Sequence, residues 1–200
     1  MPHINLSPNL PGISAAFAFR PETAAPMREL AHILLFESGQ TTSLSSRDRE
    51  LIAAYVSSLN NCHFCQESHG AAAAHHAGGS DELVGAVCSS PQRADISPKL
   101  RALLAIASRV QADAKTVTSA LVEAARAQGA TDLEVHDTVL IAAAFCMYNR
   151  YVDGLATLQP HDASMYAEMG EHLATKGYRT SSTRPTPVAA GSNQSARAHP

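Results

Sequence analysis

The chain has 200 residues, 45% of them apolar, and a formal charge of −3. That suffices for one sizeable core and leaves no basic field to hold nucleic acid. Met1 to Ser14 lacks the layout of a secretory signal and no run approaches the ~18 apolar residues of a membrane span, so a soluble, cytoplasmic protein is expected, its four cysteines catalytic, metal-binding or buried.

Residues 1–20 read as a lead-in whose Ile4, Leu6, Leu10, Ile13, Phe17 and Phe19 pack on the body or on a neighbouring subunit. A helical domain is expected over 21–178. Pro21 opens its first helix, which closes at Ser38-Gly39-Gln40. Ser45, three residues before Asp48, caps a second helix carrying Leu51, Ala54, Tyr55 and Leu59 on one stripe. Asn60-Asn61 breaks it, and a third segment runs from Cys62 through four alanines to Gly78-Gly79. A short helix starts at Ser80, and another follows the Ser97-Pro98 cap. Further helices are expected over about 119–128, from Val135 to about Leu158 behind a Thr131/Glu134 capping box, and over 163–176. No stretch alternates with period two for long enough to propose a strand. Residues 179–200, rich in Ser, Thr, Pro, Ala and Gly, are expected to form a flexible tail.

The chemistry concentrates between Glu50 and His69. Cys62 and Cys65 stand three apart and His69 four further on, which keeps all three on one face of a helix. A thiolate attacks where a thiol hardly does, and a helix N-terminus lowers the ordinary cysteine pKa of ~8.5. By that argument Cys62, beside the Asn60-Asn61 break, is the more acidic thiol. One sulfur can reduce a peroxide and become a sulfenic acid, and the other can condense with it. His69 is placed to take the proton and Glu50 to orient the imidazole, the nucleophile–base–orienter logic of a triad.

These residues, with Gly12-Ile13, Phe19-Arg20-Pro21-Glu22-Thr23 and Tyr148 through Leu155, resemble the AhpD-like alkylhydroperoxidase branch of the carboxymuconolactone decarboxylase superfamily, in its peroxidase-related subgroup. The resemblance spans about residues 12–178. It implies an all-α, AhpD-like bundle of about seven or eight helices that assembles as a homo-oligomer (dimer, trimer or hexamer). It also implies a thiol peroxidase in antioxidant defence, reducing hydrogen peroxide or alkyl hydroperoxides through a dithiol/disulfide cycle reopened by an external dithiol. Cys65 would meet the peroxide, Cys62 would resolve, and Glu50 with His69 would relay protons; the helix-terminus argument favours the opposite order of the thiols. The sequence departs from the best-known members in having Phe64 where they carry a histidine before the second cysteine. His63 stands one position earlier, about 100° away around a helix.

No haem, flavin or phosphate-loop motif is present, so no cofactor is expected. A rival reading makes Cys62, Cys65 and His69 metal ligands, completed by His63, His75, His76 or Glu50. Others are a decarboxylase-like enzyme acting on a carbon acid and an oligomeric redox sensor. Cys88 and Cys146 read as small buried hydrophobes, and Arg150 with Asp153 as an ion pair. Tyr148 and Asn149 read as lining the pocket or a subunit contact.

Overall fold

The structure, a computed structural model, describes residues 1–179; the proposed tail lies, from residue 180 on, outside the described residues. Nine helices and no strand are present among them. They are α1 (Ile13–Phe19), α2 (Pro21–Ala31), α3 (Ser46–Leu59), α4 (His63–His76), α5 (Glu82–Ser89), α6 (Pro98–Asp113), α7 (Ser119–Ala127), α8 (Asp132–Gly154) and α9 (Ala163–Lys176). The fold is all-α, and α1 is an element that the reading of residues 1–20 did not contain.

The caps follow from side chains that satisfy orphan backbone donors. Ser45 Oγ accepts from Asp48 N at 3.2 Å and Ser97 Oγ from Leu100 N at 3.1 Å. Thr131 and Glu134 close a full capping box at α8. Asp48 does not complete one at α3, because its carboxylate takes Arg47 at 2.8 Å.

Two elements differ from the periodic pattern. Beyond Ala31 the first helix widens into a π-helical stretch, His32–Glu37, before a last turn at Ser38–Thr41. The fully buried Arg49 stands against that stretch. It donates to Leu34 O at 2.8 Å, Leu44 O at 3.0 Å, Thr42 Oγ1 at 2.9 Å and Asp137 Oδ2 at 2.6 Å. One cation thus ties α2, α3 and α8 together. The other difference is the end of α8, at Gly154 and not Leu158. Ala156 turns the chain at φ 48°, and the lead-in uses the carbonyls released: His3 N donates to Leu155 O and Gly12 N to Leu158 O, at 3.0 and 2.7 Å.

The main core fills the space between α2, α3, α6 and α8 with Leu35, Leu51, Ile52, Val56, Leu103, Leu104, Ile141 and Phe145. A second cluster, Cys62, Phe64, Cys65, Val152 and Tyr166, sits where α4 meets α8 and α9. The alanines of α4 let α9 approach until a Cβ on Gly170 would lie 2.5 Å from Ala71 C, so only glycine fits there. Gly12, at φ +52°, likewise meets the Phe64 ring so closely that a Cβ would stand 2.2 Å from it, which fixes α1 over the start of α4.

Candidate active site

The site is built on the hairpin of α3 and α4. Asn60 ends α3, Asn61 turns the chain at φ 57°, and Cys62 N returns to Ser57 O at 3.0 Å. Asparagine tolerates that left-handed conformation better than most residues. Cys62 is therefore the N-cap of α4, extended at ψ 95° and just outside the helix. The reversal brings Glu50, near the start of α3, opposite His69 on the second turn of α4.

Glu50 is buried, and its Oε2 accepts from His69 Nδ1 at 2.8 Å. Its Oε1 accepts a hydrogen bond from the Tyr178 hydroxyl. A carboxylate accepts, so the His69 contact runs from Nδ1, and the Nε2 edge of the ring is left free of Glu50. Burial, then the charge of Glu50, pushes the Tyr178 phenol well above its ordinary pKa, so it remains a donor. The imidazole is held between Phe145, edge-on at 4.5 Å, and Tyr178, nearly parallel at 5.8 Å.

His69 and Cys65 share the wall of a cavity of about 250 Å³ whose apolar lining includes Phe17, Met27, Phe145 and Met169. Cys62 is fully buried and does not line it. All four cysteines are free thiols. A hydrogen bond to Cys62, together with burial, pushes the Cys65 thiol well above its ordinary pKa, while the Asn149 amide acts against that shift. Asn149 is itself held in a polar string. Its Nδ2 donates to Ser57 Oγ at 3.0 Å, its Oδ1 accepts from Asn60 Nδ2 at 2.8 Å, and Asn60 Oδ1 accepts from Gln111 Nε2 at 2.9 Å.

The carboxymuconolactone decarboxylase family profile matches residues 21–107. The chain is similar to a peroxidase-related protein from Ralstonia eutropha JMP134, described as an alkylhydroperoxidase AhpD core. Identity is 26% and the TM-score 0.71, over 80% of this chain and 81% of that one. Residues 21–107 of this chain thus resemble the carboxymuconolactone decarboxylase family, and its fold resembles that of an AhpD core. A peroxidase-related protein from Silicibacter sp. TM1040 is similar at 25% identity and TM-score 0.68, over 76% of each chain. A protein of unknown function from Agrobacterium tumefaciens, at 21% identity and TM-score 0.63 over 81% of this chain and all of its own, shares the fold. No curated protein matches this sequence.

The profile match contains Glu50, Cys62, Cys65 and His69, but neither Asn149 nor Tyr178. Tyr178 follows the last helix by two residues, and no spacing rule connects it to Glu50. Tyr148 lines the cavity and gives its hydroxyl to Met27 O at 2.8 Å. His63 faces away, with Nε2 3.2 Å from Pro160 O and its ring against His161. Arg150 and Asp153 do not pair as expected. Arg150 turns back to Cys146 O at 2.8 Å, and Asp153 accepts from Gln159 at 2.9 Å. Cys88 and Cys146 are half-buried and not fully enclosed. Among the described residues no three His, Cys, Asp or Glu side chains are arranged to hold a metal ion. No helix among them is long and apolar enough to cross a membrane.

Proposed function

We propose that the chain is a thiol-dependent peroxidase with Cys65 as the attacking sulfur and Cys62 as the resolving one. One observation carries this reading: among the described residues, Cys65 is the cysteine that lines the cavity into which His69, oriented by Glu50, also faces. Access therefore favours Cys65, although the helix-terminus argument favours Cys62. The two arguments concern different steps. Cys65 holds its proton at rest and needs a base to lose it, and His69 Nε2 is the base that the Glu50 contact leaves available.

The cycle balances as follows. His69 takes the Cys65 proton, and the thiolate attacks the terminal peroxide oxygen. The O–O bond breaks, Cys65 becomes a sulfenic acid, and the departing alkoxide receives the proton from His69. The Cys62 sulfur then attacks the Cys65 sulfur, gives up its own proton and expels water, closing a Cys62–Cys65 disulfide. An external dithiol reopens it by exchange. Asn149 supports the Cys65 thiolate by hydrogen bonding, and Tyr178 holds Glu50 facing His69 by a hydrogen bond to its other oxygen. The protein acts in this reading as a homo-oligomer in the cytoplasm.

The test is peroxide consumption by the wild type and the Cys62→Ser and Cys65→Ser variants, with thiols counted before and after. The Cys65→Ser variant is expected to be inactive. The Cys62→Ser variant is expected to stop after one turnover with a trappable sulfenic acid at Cys65. Two serine variants as active as the wild type would end the proposal, and a sulfenic acid trapped at Cys62 would reverse the roles.

A further inference from the structure

The cavity is larger than hydrogen peroxide requires. At about 250 Å³ it has room for several water-sized molecules, each occupying ~30 Å³ of liquid, and its apolar walls reward an organic group. It lies near the ~300 Å³ lower end of small-molecule clefts, which suits a compact organic hydroperoxide.

Its wall also carries a cation. Arg28, in the last turn of α2, lines the cavity with its guanidinium carbon 4.9 Å above the Phe17 ring. Among the described residues no carboxylate stands within ion-pair distance of it. The neighbouring Arg179 lines the same cavity, but its charge is matched by Glu29 at 2.5 Å and Glu37 at 2.6 Å. Arg28 is half-buried, and burial lowers its pKa, so enclosure costs it part of its hydration with no protein anion in return. A guanidinium presents a planar fork of donors that a carboxylate fits with two parallel hydrogen bonds.

We infer that the cavity takes organic hydroperoxides that carry a carboxylate, with Arg28 binding the acid group while the O–O bond meets Cys65. The inference rests on the peroxidase reading for the reaction, but the recognition of an acid by Arg28 does not. Arg28 is a specificity-determining residue here, and it takes no part in the proton or electron transfers.

Two matched pairs of compounds separate the two claims. The first is cumene hydroperoxide against its 4-carboxylate, which differ by one anion. The wild type is expected to prefer the acid by roughly 10- to 100-fold in kcat/KM, the worth of a charge-assisted hydrogen bond, expressed mainly in KM. Arg28→Met collapses that ratio towards one, and Arg28→Lys retains part of it. The second pair, 4-isopropylbenzoate and 4-isopropylbenzamide, has no O–O bond and is titrated calorimetrically. The acid is expected to bind more tightly than the amide to the wild type and equally to Arg28→Met. Equal preference for acid and neutral compounds in the wild type, or an acid preference that survives Arg28→Met, overturns the inference. Should Arg28→Met not fold, the wild-type ratios and the lysine variant still decide it. Acid-selective binding without peroxide turnover would support recognition by Arg28 and end the peroxidase reading alone.

Discussion

At the scale of single residues, the Glu50 carboxylate is where the site is most exposed to a small change. It is buried and has a donor on each oxygen, His69 on one and Tyr178 on the other. Removing the phenol oxygen leaves one lone-pair site of an enclosed anion unsatisfied, and hydrogen bonds to charged groups are worth ~1.5–3 kcal/mol. Tyr178→Phe is therefore expected to lower peroxide kcat/KM roughly 10- to 100-fold. The loss should appear in the single-turnover rate of Cys65 oxidation, while the urea midpoint stays near that of the wild type. A variant that keeps the wild-type oxidation rate but loses stability would show Tyr178 to be a packing residue. Glu50, Cys62, Cys65 and His69 were legible because helical spacing and a cap signal relate them along one hairpin. Tyr178 was not, since it reaches Glu50 across 128 positions through a contact that only the packed helices create.

At the scale of elements, polar groups under the helices decide where the pattern holds and where it gives way. Arg49 is enclosed and binds the Leu34 carbonyl of the widened helix together with Asp137, whereas Arg47 and Asp48 form a pair with Arg47 open to solvent. Removing one partner of a buried pair strands the other charge, at a cost of about 3–5 kcal/mol; an exposed pair is worth ~0–1 kcal/mol. Asp137→Asn should lower the unfolding free energy by about 3–5 kcal/mol in urea titrations, and Asp48→Asn by no more than ~1 kcal/mol. Equal losses would contradict the assignment of Arg49 as the tie between α2, α3 and α8. The box at α8 adds a pH dependence. Burial alone would raise the Glu134 pKa, but Lys99, the Thr131 amide and the Ser43 hydroxyl outweigh it and hold the group at about 2. A folded-state value below the ordinary 4.5 means that its contribution is present above pH 4.5 and lost as pH falls towards 2. The urea midpoints of wild type and Glu134→Gln should therefore converge across that window. This box was plain in the sequence, as were the Ser45 and Ser97 caps. The end of α8 was not, because Leu155 and Leu158 continue an apolar pattern while their carbonyls serve the lead-in.

At the scale of the molecule, the chain closes its cavity from both ends: α1 supplies Ile13, Ser14 and Phe17, and the segment after α9 supplies Gly177, Tyr178 and Arg179. That closing segment is pinned to the first helix by two kinds of bond. Arg179 pairs with Glu29 and Glu37, and Tyr178 N donates to His32 Nδ1 at 3.1 Å. An imidazole nitrogen that accepts must be unprotonated, so the second bond survives only while His32 is neutral. Burial, then the charge of Arg179, lowers the His32 pKa, with Glu37 and Glu29 acting weakly against them. A base whose folded-state pKa is depressed binds fewer protons folded than unfolded, so its contribution is intact above the ordinary 6.5 and declines as pH falls below it. Acid should thus release the closing segment before it unfolds the helices, and Tyr178, which touches Glu50, should leave the site with it. Hydrogen exchange at the Tyr178 amide is expected to lose protection as pH falls below the ordinary 6.5 while amides in α3 and α8 keep theirs. In His32→Phe the amide should be unprotected throughout, with no pH dependence beyond intrinsic exchange. Protection at Tyr178 that tracks global unfolding in both proteins would mean that the ion pairs of Arg179 hold the segment alone. The peroxidase rate then separates closure from chemistry, because a rate that falls in parallel with Tyr178 protection in the wild type, but is already low and flat in His32→Phe, ties the Glu50–His69 pair to the closed segment.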